Sequence, residues 1–217
     1  RIDPGAVQLD TRTGYEADWS VWGTGRLRWG HRGDVSARLS LPGKALALVR
    51  ESGADMKEFV IMILSAGADC TRVDFAFDWR QEASPIIDRI VQSIRDGHYT
   101  SRWRLQNSTS CYRIQAVCDI GDTLYLGSKQ SDCRVRIYDK AAEQGEEEPR
   151  IRFEFQVRKE RAAEAVTFLT IDNSYAVEYV KAIILGYFDI KDPYDNDVNK
   201  SRWPTAGWWA DLWGQQK

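Results

Sequence analysis

The chain has 217 residues, of which 43% are hydrophobic and 29% charged, and its formal net charge is −2. That length allows one sizeable core or a main domain with an appendage, and the composition excludes a disordered chain. No apolar run approaches the roughly 18–20 residues that span a bilayer, and a near-neutral total does not by itself point to nucleic acid.

Residues 1–34 are rich in Gly and Trp (Trp19, Trp22, Trp29, Gly23, Gly25, Gly30, Gly33), which predicts short strands and turns. Val35 to Leu41 alternates polar and apolar residues and reads as a half-buried strand closed by Pro42-Gly43. A helix follows over Lys44 to Glu51. Asp55 and Glu58 then form a capping box ahead of a second helix carrying Phe59, Ile63 and Leu64. Thr71 to Trp79 is the most informative strand: Val73, Phe75, Phe77 and Trp79 alternate with Arg72, Asp74, Ala76 and Asp78. Ser84-Pro85 opens a helix with Ile86, Ile87, Ile90, Val91 and Ile94 at helical spacing, ended by Gly97.

Four strands are predicted next, at Tyr112 to Val117, Thr123 to Gly127, Arg134 to Tyr138 and Ile151 to Val157. Helices follow near Glu160 to Leu169 and Tyr175 to Leu185, then an Asp/Asn-rich loop and a tail with Trp203, Trp208, Trp209 and Trp213. This order predicts an α+β protein with a mainly antiparallel central sheet and helices on one face, ferredoxin-like in outline. The expected divisions are an extension over 1–34, a main domain over 35–190 and a Trp-rich tail over 191–217. The tail tryptophans suit either stacking on unpaired bases or, given the four-residue spacing of Trp209 and Trp213, a helix packed on the core.

Four cysteines (Cys70, Cys111, Cys118, Cys133) have no CxxC spacing, so buried thiols in a reducing compartment are expected and a zinc site is not. No charged-then-apolar leader is visible, which sets the expectation of a cytoplasmic protein. The chain opens on Arg1 and not Met, which reads as a trimmed start. Charge is uneven: Arg102 to Lys140 holds seven basic and four acidic residues, and Arg150 to Arg161 five basic and two acidic. An acidic loop with Glu143, Glu146, Glu147 and Glu148 separates them.

Side chains two apart in a strand share a face. If the strands at 71–79, 134–138 and 151–157 bury their odd positions, then Arg72, Asp74, Asp78, Arg134, Arg136, Tyr138, Glu154 and Gln156 share the opposite face, with Lys140 just beyond. A solvated sheet face is the simple reading. Three features argue for more. Asp is disfavoured in strands, yet one strand holds two on one face. Glu154 and Gln156 add oxygens of the kind that Mg²⁺ or Mn²⁺ prefers. Tyr138 lies among cations that favour its phenolate. Carboxylates for a hard cation, a nucleophile and cationic clamps are the parts of phosphodiester transfer.

At TRVDFAFDW (71–79), GDTLYLGSKQSDCRVRIYDK (121–140) and IRFEFQVRKERA (151–162), the chain resembles the replication initiation factor family over roughly residues 35 to 190. That family comprises rolling-circle initiators of Gram-positive plasmids and filamentous phages, with related relaxases of conjugative elements. The resemblance implies an HUH-nuclease-like fold, without its two-histidine motif because only His31 and His98 occur. It implies Tyr138 as nucleophile, with Lys140 and Arg136 stabilising the transition state. It implies Asp74, Asp78 and Glu154 as ligands of Mg²⁺ or Mn²⁺, with Gln156 where the family has a second acid. Arg72, Arg134, Arg152 and Lys129 are the expected DNA contacts.

The implied reaction nicks single-stranded or extruded origin DNA, giving a 5′-phosphotyrosine and a free 3′-hydroxyl for a host helicase and polymerase. A membrane partner is not expected, and a homodimer is left open. Tyr125, followed by Lys129, is the competing nucleophile, ranked lower for its apolar neighbours. A relaxase would use the same chemistry, and the short length favours replication. A non-catalytic DNA-binding module is the other reading, opposed by the presence of Tyr138 and both aspartates.

Overall fold

The computed structural model describes residues 7–8, 14–31, 34–103, 112–117, 121–194 and 197–214. The chain divides into two compact units, Arg1–Gly67 and Ala68–Lys217. The first is an antiparallel meander of β1 (Val7–Gln8), β2 (Tyr15–Val21), β3 (Gly25–His31) and β4 (Asp34–Ser40), followed by helices α1 (Gly43–Glu51) and α2 (Met56–Ser65). Residue 34, after which a division was expected, is the first residue of β4, and its backbone pairs with His31 of β3. The capping box works as read: the Glu58 N–H donates to Asp55 Oδ1 at 2.9 Å, satisfying one of the helix's unpaired first-turn donors.

The second unit is built on a five-stranded sheet. Its elements are β5 (Arg72–Trp79), α3 (Ala83–Arg95), β6 (Tyr99–Ser101), β7 (Tyr112–Val117), β8 (Gly121–Leu126), β9 (Cys133–Asp139), α4 (Lys140–Gln144), β10 (Ile151–Arg158), α5 (Glu160–Ile171), α6 (Asn173–Tyr187) and β11 (Phe188–Ile190). A 3₁₀ turn (Lys200–Arg202) and α7 (Gly207–Gly214) close it. The strand order is β5-β10-β9-β8-β7, with every described pairing antiparallel, and β11 pairs with β6 separately. The last of this sheet's strands along the chain, β10, thus inserts between β5 and β9.

Parity decides which side is covered. Phe77, Trp79, Leu124, Leu126, Val135, Ile137, Ile151, Phe153, Phe155 and Val157 all join one core. The same core contains Ile87, Ile90, Val91 and Ile94 of α3, Ala162 and Ala165 of α5, and Val180, Ile183 and Ile184 of α6. The expectation of an α+β antiparallel sheet with helices on one face is met. Gly127 follows β8 with φ of +85°, where a Cβ would sit 3.0 Å from the Cys133 carbonyl oxygen, so glycine is required at this turn.

The tryptophan tail belongs to this core. Trp209 and Trp213 are 1% and 4% exposed. Trp213 meets Phe77, Trp79 and Phe153 edge-on at 5.7, 5.3 and 5.7 Å, and the Trp79 indole N–H donates to the Leu212 carbonyl at 2.8 Å. These two rings have no face left for a DNA base. Cys133 is buried, and burial pushes its thiol up to about 12, so it is inert at neutral pH. Cys111 and Cys118 lie outside the described residues.

Phe155 is fully buried between β5 and β9. Phe155→Ala is expected to lower the unfolding free energy by about 3–5 kcal/mol through the cavity it leaves. Glu147→Ala in the exposed acidic loop should stay within about 0.5 kcal/mol. Urea titration of both variants checks this, and comparable losses would show that the parity assignment is wrong.

Candidate active site

Register places the predicted residues in cross-strand rows on the face opposite the helices. Arg72 lies opposite Arg158; Asp74 opposite Gln156, which faces Arg134. Glu154 lies between Ala76 and Arg136, and Arg136 faces Tyr125. Asp78 is opposite Arg152, which faces Tyr138, which faces Thr123. Directly opposed residues in an antiparallel pair are about 5 Å apart, so these side chains meet. Arg72, Asp74, Tyr125, Arg134, Arg136, Glu154 and Gln156 line a pocket of about 260 Å³.

Tyr138 lies in the row beside this pocket. It is only 3% exposed, with the charged side chains of Arg136, Lys140 and Glu154 beside it. Its O–H donates to Glu154 Oε1 at 2.6 Å, and the Arg136 guanidinium lies over its ring at 3.9 Å, with Lys140 Nζ at 5.9 Å. Arg136 also reaches Glu154 Oε2 at 3.4 Å and Glu143 at 3.6 Å. The cations were expected to favour phenolate. The structure shows the opposite: burial first, then the hydrogen bond and charge of Glu154, hold the phenol well above its ordinary range. In this state Tyr138 keeps its proton.

The acids differ in how they are engaged. Arg72 donates to both oxygens of Asp74, at 2.8 and 2.5 Å, on an exposed part of the face. Arg152 forks onto both oxygens of Asp78 at 2.6 Å each, which raises the guanidinium above its usual range. Asp78 does not line the pocket, and both of its oxygens accept from Arg152. Among the described residues no three His, Cys, Asp or Glu gather closely enough to hold a metal ion. The pocket instead brings together Asp74, Glu154 and the amide of Gln156, whose Oε1 is buried with no hydrogen-bond donor. These oxygens are of the kind a hard divalent ion takes, and Asp74 and Glu154, engaged here by Arg72, Arg136 and Tyr138, would have to exchange those partners to join Gln156 in holding one.

Arg134 and Arg136 each keep a buried Nε–H without an acceptor. Burial, then the charges around it, lowers the Arg134 guanidinium below its usual range. Lys129 is exposed on the turn after β8, away from the pocket, and its carbonyl accepts from Arg158.

Two pocket-side residues were missed or demoted. Tyr125 was discounted for its apolar neighbours, but Leu124 and Leu126 point into the core while Tyr125 faces the pocket, with Arg134 4.5 Å from its ring. Strand parity was the available signal. Glu143 was read only as part of an acidic loop. It lies on α4, which Asp139 caps by accepting from the Ala142 N–H at 2.8 Å, and it contacts Lys140 as well as Arg136. Burial would raise its carboxyl, but Lys140 and Arg136 outweigh that and hold it below the usual range.

The family described as replication initiation factor matches residues 68–217. "Putative DNA relaxase NicK" of Bacillus subtilis (strain 168) is 26% identical over 159 residues, which is 70% of this chain and 44% of that protein. The chain therefore spans less than half the length of that curated relative. The solved structure of a rolling circle replication initiator protein from Geobacillus stearothermophilus superposes with a TM-score of 0.80 at 24% identity, covering 96% of this chain and 81% of the other. The latter likeness shows a shared fold.

Because the folded-state phenol of Tyr138 ionises above its unfolded value, its neutral form stabilises the fold fully below about pH 10. That stability is lost as pH rises through the folded value. Urea unfolding measured from pH 8 to pH 11 should show a steeper alkaline decline for the native chain than for Tyr138→Phe. Tyr179, held up at about 12 by burial and Glu164, contributes equally in both. Matching slopes would mean that Tyr138 is not shielded as described.

Proposed function

The chain belongs to the replication initiation factor family, and from that premise we propose that it nicks one strand of origin DNA through Tyr138 to start rolling-circle replication. The observation that supports this most is the Tyr138–Glu154 hydrogen bond at 2.6 Å, beside a pocket with unsatisfied guanidinium donors on an uncovered sheet face.

A phosphodiester of unpaired DNA enters the pocket, where the buried Nε–H groups of Arg134 and Arg136 donate to its non-bridging oxygens. Tyr138 Oη attacks phosphorus while its proton passes to Glu154 Oε1. The P–O3′ bond breaks, and the 3′-oxygen leaves and takes a proton from water. The products are a 5′-phosphotyrosine and a free 3′-hydroxyl, with the phosphoryl bond conserved for rejoining. Asp74, Glu154 and Gln156 would hold Mg²⁺ or Mn²⁺; the bound ion supplies neutralisation of phosphate charge. Lys140 stands beside the tyrosine as a further cation. Asp78 orients Arg152 for the adjoining phosphate, and Arg72 and Lys129 extend the contact surface.

The 3′-hydroxyl is the primer that a host polymerase extends once a helicase separates the strands. On this reading the protein works in the cytoplasm, where the host replication enzymes act. Among the described residues no helix is long and apolar enough to cross a membrane. The likeness to a protein described as a DNA relaxase favours a second reading, in which the same chemistry acts at a transfer origin.

Supercoiled plasmid carrying the element's own origin, incubated with Mn²⁺, should yield open circles and a covalent protein–DNA adduct. Tyr138→Phe should abolish the adduct while retaining DNA binding. Asp74→Asn should weaken metal dependence by at least the roughly 10- to 100-fold that even outer-shell partners contribute. An adduct formed by Tyr138→Phe would remove Tyr138 as nucleophile and point to Tyr125.

A further inference from the structure

Glu143 is absent from the reaction just described, yet it is placed to control it. α4 is a five-residue helix that begins immediately after β9. Its N-terminus is capped by Asp139, and Gly145 closes it with φ of +69°. That short, doubly closed turn folds Glu143 back over the end of the strand bearing Tyr138. One Glu143 oxygen lies 3.6 Å from Arg136 Nη2 and the other contacts Lys140 Nζ. Arg136 is thereby held from two sides, by Glu143 and by Glu154 at 3.4 Å, with its guanidinium carbon 3.9 Å from the centre of the Tyr138 ring.

The clasp is asymmetric in a useful way. Arg136 and Glu143 are each about one-third exposed in their side chains, so they exchange partners without a large desolvation cost. The buried Arg136 Nε–H has no acceptor. A phosphate oxygen satisfies that donor and competes for the guanidinium with two carboxylates. Removing the guanidinium from the ring uncovers the phenol.

We propose that Glu143 is a positioning residue that keeps Arg136 closed over Tyr138, so that the nucleophile is shielded until a DNA phosphate draws Arg136 away. The inference rests on Tyr138 being the nucleophile, but its first test does not. Glu143 sets the resting position of the guanidinium, and Lys140, held by the same carboxylate, moves with it.

Hydroxyl-radical footprinting of the full chain without DNA reads ring exposure directly. In the native protein Tyr138 should be oxidised far more slowly than Tyr175 and Tyr194, which are 59% and 58% exposed. Glu143→Gln should raise Tyr138 oxidation about five- to tenfold, the scale of one lost ion pair together with one lost cation–π contact. Glu143→Asp should restore most of the protection. Arg136→Lys, which keeps charge but loses the flat fork, provides a second route to the same exposure. Circular dichroism confirms that each variant is folded. In the nicking assay Glu143→Gln should change kcat and KM differently, because only the closed state that binding must open is altered. Equal oxidation of Tyr138 and Tyr194 in the native chain, or no change in folded Glu143→Gln and Arg136→Lys, overturns the proposal. Protection released by these variants, with no adduct formed by any of them or by the native chain, sustains the clasp and removes the nicking function.

Discussion

The register of β10 between β5 and β9 is the constraint on which the rest depends. Eight residues of β10 pair with β5 and seven with β9, without a slip. Because a strand alternates its side chains, that single register commits Phe153 and Phe155 to the core and Arg152, Glu154 and Gln156 to the open face. A shift of one residue would exchange the two sets. The large apolar core makes such a shift prohibitive: Phe153, Phe155, Ile151 and Val157 are all essentially inaccessible to water. The chemistry on one side is held in place by hydrophobic burial on the other.

Given that alignment, the open face is an electrostatic mosaic with a consistent bias. Its acids are engaged by cations: Asp74 by Arg72, Asp78 by Arg152, Glu154 by Arg136, and Glu143 by Lys140 and Arg136. Its arginines are not all satisfied in return, since Arg134, Arg136 and Arg150 retain buried donors without acceptors. A buried donor left unpaired costs roughly 1–3 kcal/mol. Such a cost is tolerated where a ligand supplies the missing partner. On this face the missing partners are mainly acceptors, which phosphate oxygens would supply under the proposed function. The orphaned Gln156 oxygen is the complementary exception, a single acceptor lacking a positive partner.

The aromatic residues divide by face in the same way. Trp79, Phe153, Trp209 and Trp213 interlock in edge-on and tilted contacts beneath the sheet, so the C-terminal tryptophans anchor the helical layer. Tyr125 and Tyr138 stand on the open face under arginine. Aromatic surface beneath the sheet stabilises the fold, whereas above it the rings serve as supports for guanidinium groups.

Much of this was legible in the residues themselves. The alternation in Arg72–Trp79, Cys133–Asp139 and Ile151–Arg158 determined which side chains share a face, and the apolar spacing of α3 determined which side the helices cover. These are local periodicities, and a two-residue or 3.6-residue repeat is complete within one element. What the sequence by itself could not determine was pairing across the chain. Asp78 and Arg152 are 74 residues apart and choose each other only because β10 lies against β5. The same holds for the burial of Tyr138 and its hydrogen bond to Glu154, which together keep protonated a phenol expected to ionise. Glu143 looked like part of a solvated acidic run until the capped turn of α4 set it over Arg136. Protonation state, ion-pair partner and burial are properties of the space between elements, and only the tertiary structure decides what occupies that space.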